Sequence, residues 1–265
     1  MKKVKFSMKK VKILVFLFFI VGVLIFVGFL IYKGFKCNKE ASPYYPLKEI
    51  NNGFVVENQL AMPQKGEQIA VFKVQGYGSF KCRLFDKAMP NTVRNFVKLV
   101  KAKKYDGLSF DEIISDLKIQ CGDDADGVSD VIPKEFNASL HSYNGALCAV
   151  CSEELDSQTG QFYIVYSEAG RQTDFDYLEN NYSEGSESGV FNEVVKFNES
   201  VRSNYKEHGG FPAYDLEHGS VFGQVFEGLD VVEKIMNCPK SLDNLLDEAV
   251  PVNPIIIDQI EIVTA

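Results

Sequence analysis

The sequence predicts a mainly β fold, an antiparallel sheet closed into a barrel, on three observations. Short apolar segments recur along residues 63–265, turn residues separate them, and only two or so stretches in that span carry helical periodicity. Many short strands with few helices are best accommodated by closing the sheet, which removes its exposed edges. A single apolar span near the N-terminus stands apart from this pattern and predicts a transmembrane helix ahead of the domain.

Taken in chain order, Gln68 to Gly76 alternates loosely and reads as a strand; Gly76-Tyr77-Gly78 is a turn, and Ser79 to Phe85 a second strand, giving a hairpin. Pro90 opens a helix, with Val93, Phe96, Val97 and Val100 at helical spacing. Ala146 to Val150, Gln161 to Tyr166 and Val221 to Val225 read as short apolar strands. A helix follows around Leu229 to Met236, and Ile255 to Val263 closes the chain as a strand. Residues 170–209 are polar and rich in Ser, Glu and Asn; they read as a solvated loop, with a short helix within Phe197 to Glu207.

Ile13 to Tyr32 is an uninterrupted uncharged run, long enough as a helix to span roughly 30 Å, the hydrocarbon thickness of a bilayer. Six lysines precede it and Lys33, Lys36 and Lys39 follow, so the heavier positive flank places the N-terminus in the cytoplasm and the domain outside. The rival reading is a cleaved signal peptide or a lipidated Cys37. The run is long for a signal peptide, no small-residue cleavage site precedes Cys37, and Gly34-Phe35-Lys36-Cys37 is a poor lipidation box. The organisation is therefore a basic tail at 1–12, a membrane helix at 13–32, a linker at 33–62 with Ser42-Pro43, Pro46 and Asn51-Asn52-Gly53 as breakers, and a domain at 63–265.

Net charge is −8, unevenly placed. Eight of the 28 basic residues and none of the 36 acidic ones lie in residues 1–36, which leaves 20 against 36 and a balance of −16 in the remainder. So acidic a domain argues against a nucleic-acid partner. Six cysteines at irregular spacing do not form a disulfide framework. Cys148-Ala149-Val150-Cys151 is formally a C-x-x-C motif. In an unbroken strand, residues three apart face opposite sides, so these read as buried apolar cysteines unless a bulge intervenes. No metal cluster, phosphate loop or catalytic triad stands out, and no cofactor is implied.

The segment Tyr105 to Asp123, YDGLSFDEIISDLKIQCGD, resembles the active-site stretch of the cyclophilin-type peptidyl-prolyl cis-trans isomerases, Y-D-G-x-x-F-H-R-V-I followed by Q-G-G-D. Tyr105, Asp106, Gly107, Phe110, Ile114, Gln120, Gly122 and Asp123 match it. Asp111 and Glu112 stand where the family has His and its catalytic Arg. Further pieces follow in the family's order: Gly145-Ala-Leu, Gly160-Gln161-Phe162-Tyr163-Ile164, Gly209-Gly210-Phe211-Pro212, His218, Val221-Phe222-Gly223 and Glu227-Gly228-Leu229-Asp230-Val231-Val232. The resemblance covers nearly all of residues 66–265 and implies an eight-stranded antiparallel barrel capped by two α-helices.

It also implies a substrate class, proline-containing polypeptides, and a set of site residues. By position the proline pocket would use Leu117, Lys118, Tyr163, Tyr214 and His218, the polar groups would be Gln120 and Gln161, and Val150, Cys151 and Ser152 would line a peptide groove. Glu112, in the Arg position, makes the departure that matters. Arg presents five N–H donors in a rigid fork, whereas an ionised Glu only accepts. Lys118 is placed either to supply a cation or simply to pair with Glu112. Two functions follow as expectations: a membrane-anchored isomerase acting on exported or surface proteins, weakened by the missing Arg, or a cyclophilin-like module that grips peptides without isomerising them.

Overall fold

The computed structural model describes residues 54–122, 132–152, 157–169, 173–179, 197–216, 220–242 and 249–265. The expected tail, membrane helix and most of the linker fall outside these residues. Among them, no helix is long and apolar enough to cross a membrane.

Among the described residues, eleven strands form one sheet: β1 (Gln68–Val74), β2 (Gly78–Leu84), β3 (Phe110–Ile114), β4 (Lys118–Cys121), β5 (Ile132–Pro133), β6 (Ala146–Ser152), β7 (Ser157–Val165), β8 (Ser220–Glu227), β9 (Lys240–Leu242), β10 (Ala249–Pro251) and β11 (Ile257–Thr264). Their order is β11-β1-β2-β8-β6-β7-β4-β3-β10-β9, with β5 paired to β7 off this path, and every pairing is antiparallel. The eight strands from β11 to β3 curl round until their ends meet. There a bridge joins Ser109 to Ile256, and Phe110 N–H donates to Ile255 O at 3.0 Å. The curl is thus joined by a short contact rather than a full ladder, and β9 and β10 extend the sheet beyond the expected eight strands.

Ring stacking fills the curl, as a Phe-rich chain without Trp requires. Phe72 stacks on Phe80 with centroids 4.5 Å apart; Phe96 meets Phe222 at 5.2 Å and Phe162 at 5.9 Å. Phe96 comes from α1 (Pro90–Lys101), whose Val93, Phe96, Leu99 and Val100 face the sheet at helical spacing. Shorter helices include α2 (Glu199–His208), α3 (Ala213–Leu216) and α4 (Leu229–Met236). Helix α4 buries Val231, Val232, Ile235 and Met236, and α1 and α4 are the two helices that pack on the sheet.

Helix α1 lacks a cap of its own, because Met89 at its N-cap has no side-chain acceptor. Glu135, beyond β5, supplies one from a distance. Its carboxylate accepts from Asn91 N–H (3.1 Å), the Asn91 amide (2.8 Å), Thr92 N–H (2.6 Å) and the Thr92 hydroxyl (2.7 Å). Placing a negative charge at a helix N-terminus also favours the helix dipole.

Residues 54–60, assigned to the linker from sequence, lie against the domain. Val56 N–H donates to Ser139 Oγ at 2.9 Å, and the Gln59 amide both donates to His141 O (2.7 Å) and accepts from His141 N–H (2.8 Å). Arg83 fixes the same segment through Asn58 O (3.0 Å) and grips Glu67 in a bidentate pair at 2.8 Å on both sides. Burial alone would raise the Glu67 carboxyl, but hydrogen bonds from Arg83 and Gln64 and the charges of Arg83 and Lys87 outweigh it and hold the pKa below its ordinary 4.5. A depressed carboxylate contributes stability that is complete above its unfolded pKa and is lost as pH falls through the folded value. Glu67→Gln is therefore expected to lower the urea midpoint at about pH 7 and to narrow the gap to wild type below about pH 4. An equal gap at both pH values would remove Glu67 from the acid response.

The polar segment around 170–209 is not simply solvated. Among its described residues, Phe175, Phe197, Val201 and Tyr205 pack with Tyr143 and Leu60 into a second apolar cluster. Phe175 meets Phe197 at 5.1 Å and Tyr143 meets Tyr205 at 4.7 Å. Asn198 caps α2 by accepting from Val201 N–H at 3.0 Å, and Arg202 ties α2 to Asp176 (2.7 Å) and Glu179 (3.0 Å).

Candidate functional site

The β3–β4 hairpin carries the cyclophilin-like motif. It turns through Asp116 at φ 56°, a left-handed conformation that Asp tolerates better than most residues. Ile113 and Ile119 are directly paired and fully buried in the core. Strand alternation then sends Glu112, Lys118 and Gln120 to the other face. Register does the rest: Glu112 pairs with Gln120, Gln120 with Tyr163, and Tyr163 with Cys148, a row running straight across β3, β4, β7 and β6. Gly122, at φ 95°, lets the chain leaving β4 run close under β7; a Cβ there would sit 3.2 Å from Gln161 Cα.

Lys118 is the hub. Its ammonium donates to Glu112 Oε2 at 3.0 Å and to Gln120 Oε1 at 2.7 Å, and it lies 5.6 Å from the centre of the Tyr163 ring. Its side chain is only 16% exposed, so this is not a loose surface pair. Tyr163 in turn meets Tyr214 at 5.5 Å, and Tyr214 meets Phe211 at 4.9 Å. Five of the residues expected at the site, Glu112, Lys118, Gln120, Tyr163 and Tyr214, thus come together in one contiguous group. Gln161 lies on β7 two residues before Tyr163 and lines a small cleft with Thr92, Asn95 and Phe96 beside α1.

The other expected residues stand differently. Leu117 is half-buried in the β3–β4 turn, where its backbone bonds Ile114 O and Tyr166 N–H. Val150 packs on the core from its rim, at a register shift between Ala149 and Cys151. The partners step from Phe162 to Gln158 there, so the extra residues lie on β7 and not on β6. The two sulfurs take separate partners: the Cys151 thiol lies 3.2 Å from Ser220 Oγ and 3.7 Å from Gln158 Oε1, while Cys148 bonds the Tyr163 hydroxyl. Both thiols are free, and burial pushes the Cys148 thiol well above its ordinary range, which makes it inert. Ser152 belongs to β6, and only its backbone pairing with Ser157 is described. His218 lies outside the described residues.

Sequence reasoning missed the brace next to Tyr214. Asp215 follows Tyr214 in α3 and is 4% exposed. Its carboxylate accepts from Ser142 N–H (2.7 Å) and the Tyr205 hydroxyl (2.6 Å), and lies 2.8 Å from His141 Nδ1. Burial and the Asp215 charge push the Tyr205 phenol well above its ordinary pKa, so it remains a donor. One carboxylate therefore joins α3, which carries Tyr214, to the β5–β6 connection and to α2 of the insertion. Nothing in the local sequence around Asp215 announces this, because its partners are distant in the chain.

Comparison with known proteins bears on the family and the fold. Residues 69–262 match the family described as cyclophilin type peptidyl-prolyl cis-trans isomerase/CLD. A Staphylococcus saprophyticus protein named "Putative peptidyl-prolyl cis-trans isomerase" is 29% identical over 212 residues, 77% of this chain and 97% of its own. A protein of the same name from Staphylococcus aureus is 31% identical over 181 residues, 66% of this chain and 83% of its own. Among solved structures, a Cryptosporidium parvum cyclophilin type peptidyl-prolyl cis-trans isomerase superposes with a TM-score of 0.52 at 20% identity, covering 75% of this chain and 99% of that one. The same protein crystallised with the dipeptide Ala-Pro gives 0.52 at 19% identity, over 74% and 99%. At these identities the two structures speak for the fold alone.

Proposed function

This chain belongs to the cyclophilin-type peptidyl-prolyl cis-trans isomerase family, and from that premise we propose that it isomerises X-Pro bonds of exported or surface polypeptides from a membrane anchor, more slowly than relatives that keep the arginine. The observation that carries this reading is the convergence of Glu112, Lys118, Gln120, Tyr163 and Tyr214 on one face of the sheet.

Conjugation across the amide C–N bond sets a barrier of about 18–20 kcal/mol. Lowering it needs no nucleophile or metal, only a surface that binds the twisted amide better than the planar one. The aromatic pair Tyr163 and Tyr214 offers an apolar face for a prolyl ring, and Gln120 and Gln161 offer polar groups for the flanking backbone. Glu112 cannot donate when ionised, which is the basis for expecting a reduced rate. The anchor rests on the uncharged run Ile13–Tyr32 and its flanking lysines, with the domain on the far side of the membrane.

Full-length protein in lipid nanodiscs, mixed with an Ala-Pro peptide, is expected to speed cis–trans exchange measured by two-dimensional exchange NMR. Glu112 favours one other reading, a peptide-binding module without turnover. Peptide resonances that shift on titration while exchange stays at the uncatalysed rate would establish that reading and overturn the enzyme.

A further inference from the structure

We propose that Lys118 is the catalytic hydrogen-bond donor of this site and that Glu112 is its positioning residue, so that the cation has moved from β3 to the adjacent strand β4. The proposal rests on the isomerase reading and adds the group that acts on the amide.

Residues 112 and 118 are diagonal neighbours on the hairpin, since Glu112 pairs with Gln120 and Ile114 with Lys118. The Lys118 ammonium stands 3.0 Å from the tip of the Glu112 side chain, so positive charge is held beside position 112 although residue 112 is an acid. Two of the three N–H bonds of the ammonium are spent on Glu112 Oε2 and Gln120 Oε1. No acceptor among the described residues takes the third. The head group sits over Tyr163, the ring expected to hold proline, and both it and Glu112 are largely withdrawn from water. A lysine serving only to neutralise a surface glutamate would need neither the Gln120 bond nor this burial.

The chemistry follows from the donor. As the X-Pro amide twists, conjugation is lost and the nitrogen lone pair becomes a hydrogen-bond acceptor, which it is not in the planar amide. An N–H aimed at that nitrogen therefore binds the transition state and leaves the ground state unaffected. No bond to substrate forms and the proton stays on Lys118. The Gln120 amide is oriented by the same contact: its oxygen is committed to Lys118, which leaves its NH2 group as the donor for a substrate carbonyl. A single free ammonium N–H in place of a five-donor fork accounts for a slower enzyme.

The test compares full-length wild type, Lys118→Met, Lys118→Arg and Glu112→Gln in nanodiscs, with exchange rate by NMR and peptide Kd by resonance titration. Lys118→Met is expected to slow exchange by about tenfold or more with Kd within about threefold, because the lost bond belongs to the transition state. Lys118→Arg should restore exchange to within about threefold of wild type, and Glu112→Gln should fall between. Should Lys118→Met fail to fold, Lys118→Gln takes its place with the same expectation. Wild-type exchange rates in the Met or Gln variant would overturn the role of Lys118 while the isomerase reading stands. Loss of exchange and of binding in equal measure would make Lys118 a binding or structural residue and likewise overturn it. A wild type that accelerates nothing ends both readings together.

Discussion

Replacing Glu135 with alanine is expected to destabilise the domain by about 3–5 kcal/mol, among the largest effects of any single polar substitution here. A capping residue alone contributes about 1 kcal/mol, and each buried donor left without an acceptor adds about 1–3. Glu135 serves four donors at once, two on the backbone of the first turn of α1 and two on the side chains of Asn91 and Thr92. With the residue 2% exposed, water cannot take over. Glu135→Gln keeps one acceptor oxygen and is expected to cost less, about 1–2 kcal/mol, the charge being lost from the helix terminus. Urea unfolding followed by far-ultraviolet circular dichroism measures both. An alanine variant within about 1 kcal/mol of wild type would show that α1 finds another cap.

The second large effect is expected at Asp215. Asp215→Ala removes the buried acceptor for Ser142 N–H and the Tyr205 hydroxyl and the partner of the half-buried His141, and about 3–5 kcal/mol is expected on the same reasoning. Its consequence is also local. Without the carboxylate, α2 loses its bond to α3, and the amides of α2 should exchange hydrogen faster than those of β1. Because Tyr214 adjoins Asp215, the Ala-Pro peptide Kd should rise about threefold or more. Asp215→Asn keeps one acceptor and should recover part of each loss. Unaltered α2 protection in the alanine variant would separate the insertion from the pocket wall.

Much of the fold was legible in the sequence because its signals are local. Pro90 with apolar residues at helical spacing marked α1, Gly76-Tyr77-Gly78 marked the β1–β2 turn, and short apolar runs marked β6, β7 and β8. Glu112, Gln120 and Tyr163 were placed at one site by family resemblance alone, and their alignment in a row needed the strand register. What was not legible depends on distance in the chain or on small departures from regularity. The Glu135 cap lies 43 residues from Thr92, and Asp215 lies 74 residues from His141. The irregularity between β6 and β7 places its extra residues on β7, between Gln158 and Phe162, and only the pairing with β6 reveals it. The insertion looked solvated because the aromatics that pack together there, Phe175, Phe197 and Tyr205, are scattered among Ser, Glu and Asn and meet only in three dimensions. The choice between two roles for Lys118 likewise needed its distances and its burial.

The pairing of β1 with β11 bears on how the molecule is made. Gln68 opposes Thr264 and the ladder continues to Val74 and Ile257, so neighbours in the sheet are nearly the whole domain apart in sequence. A chain emerging from the ribosome delivers β1 and β2 first and β11 last. Through that interval one edge of β1 has no partner, with Ile69, Phe72 and Val74 beside it destined for burial. Vectorial synthesis therefore leaves this domain unable to complete its sheet until its final strand is free, and its high contact order makes that last closure slow.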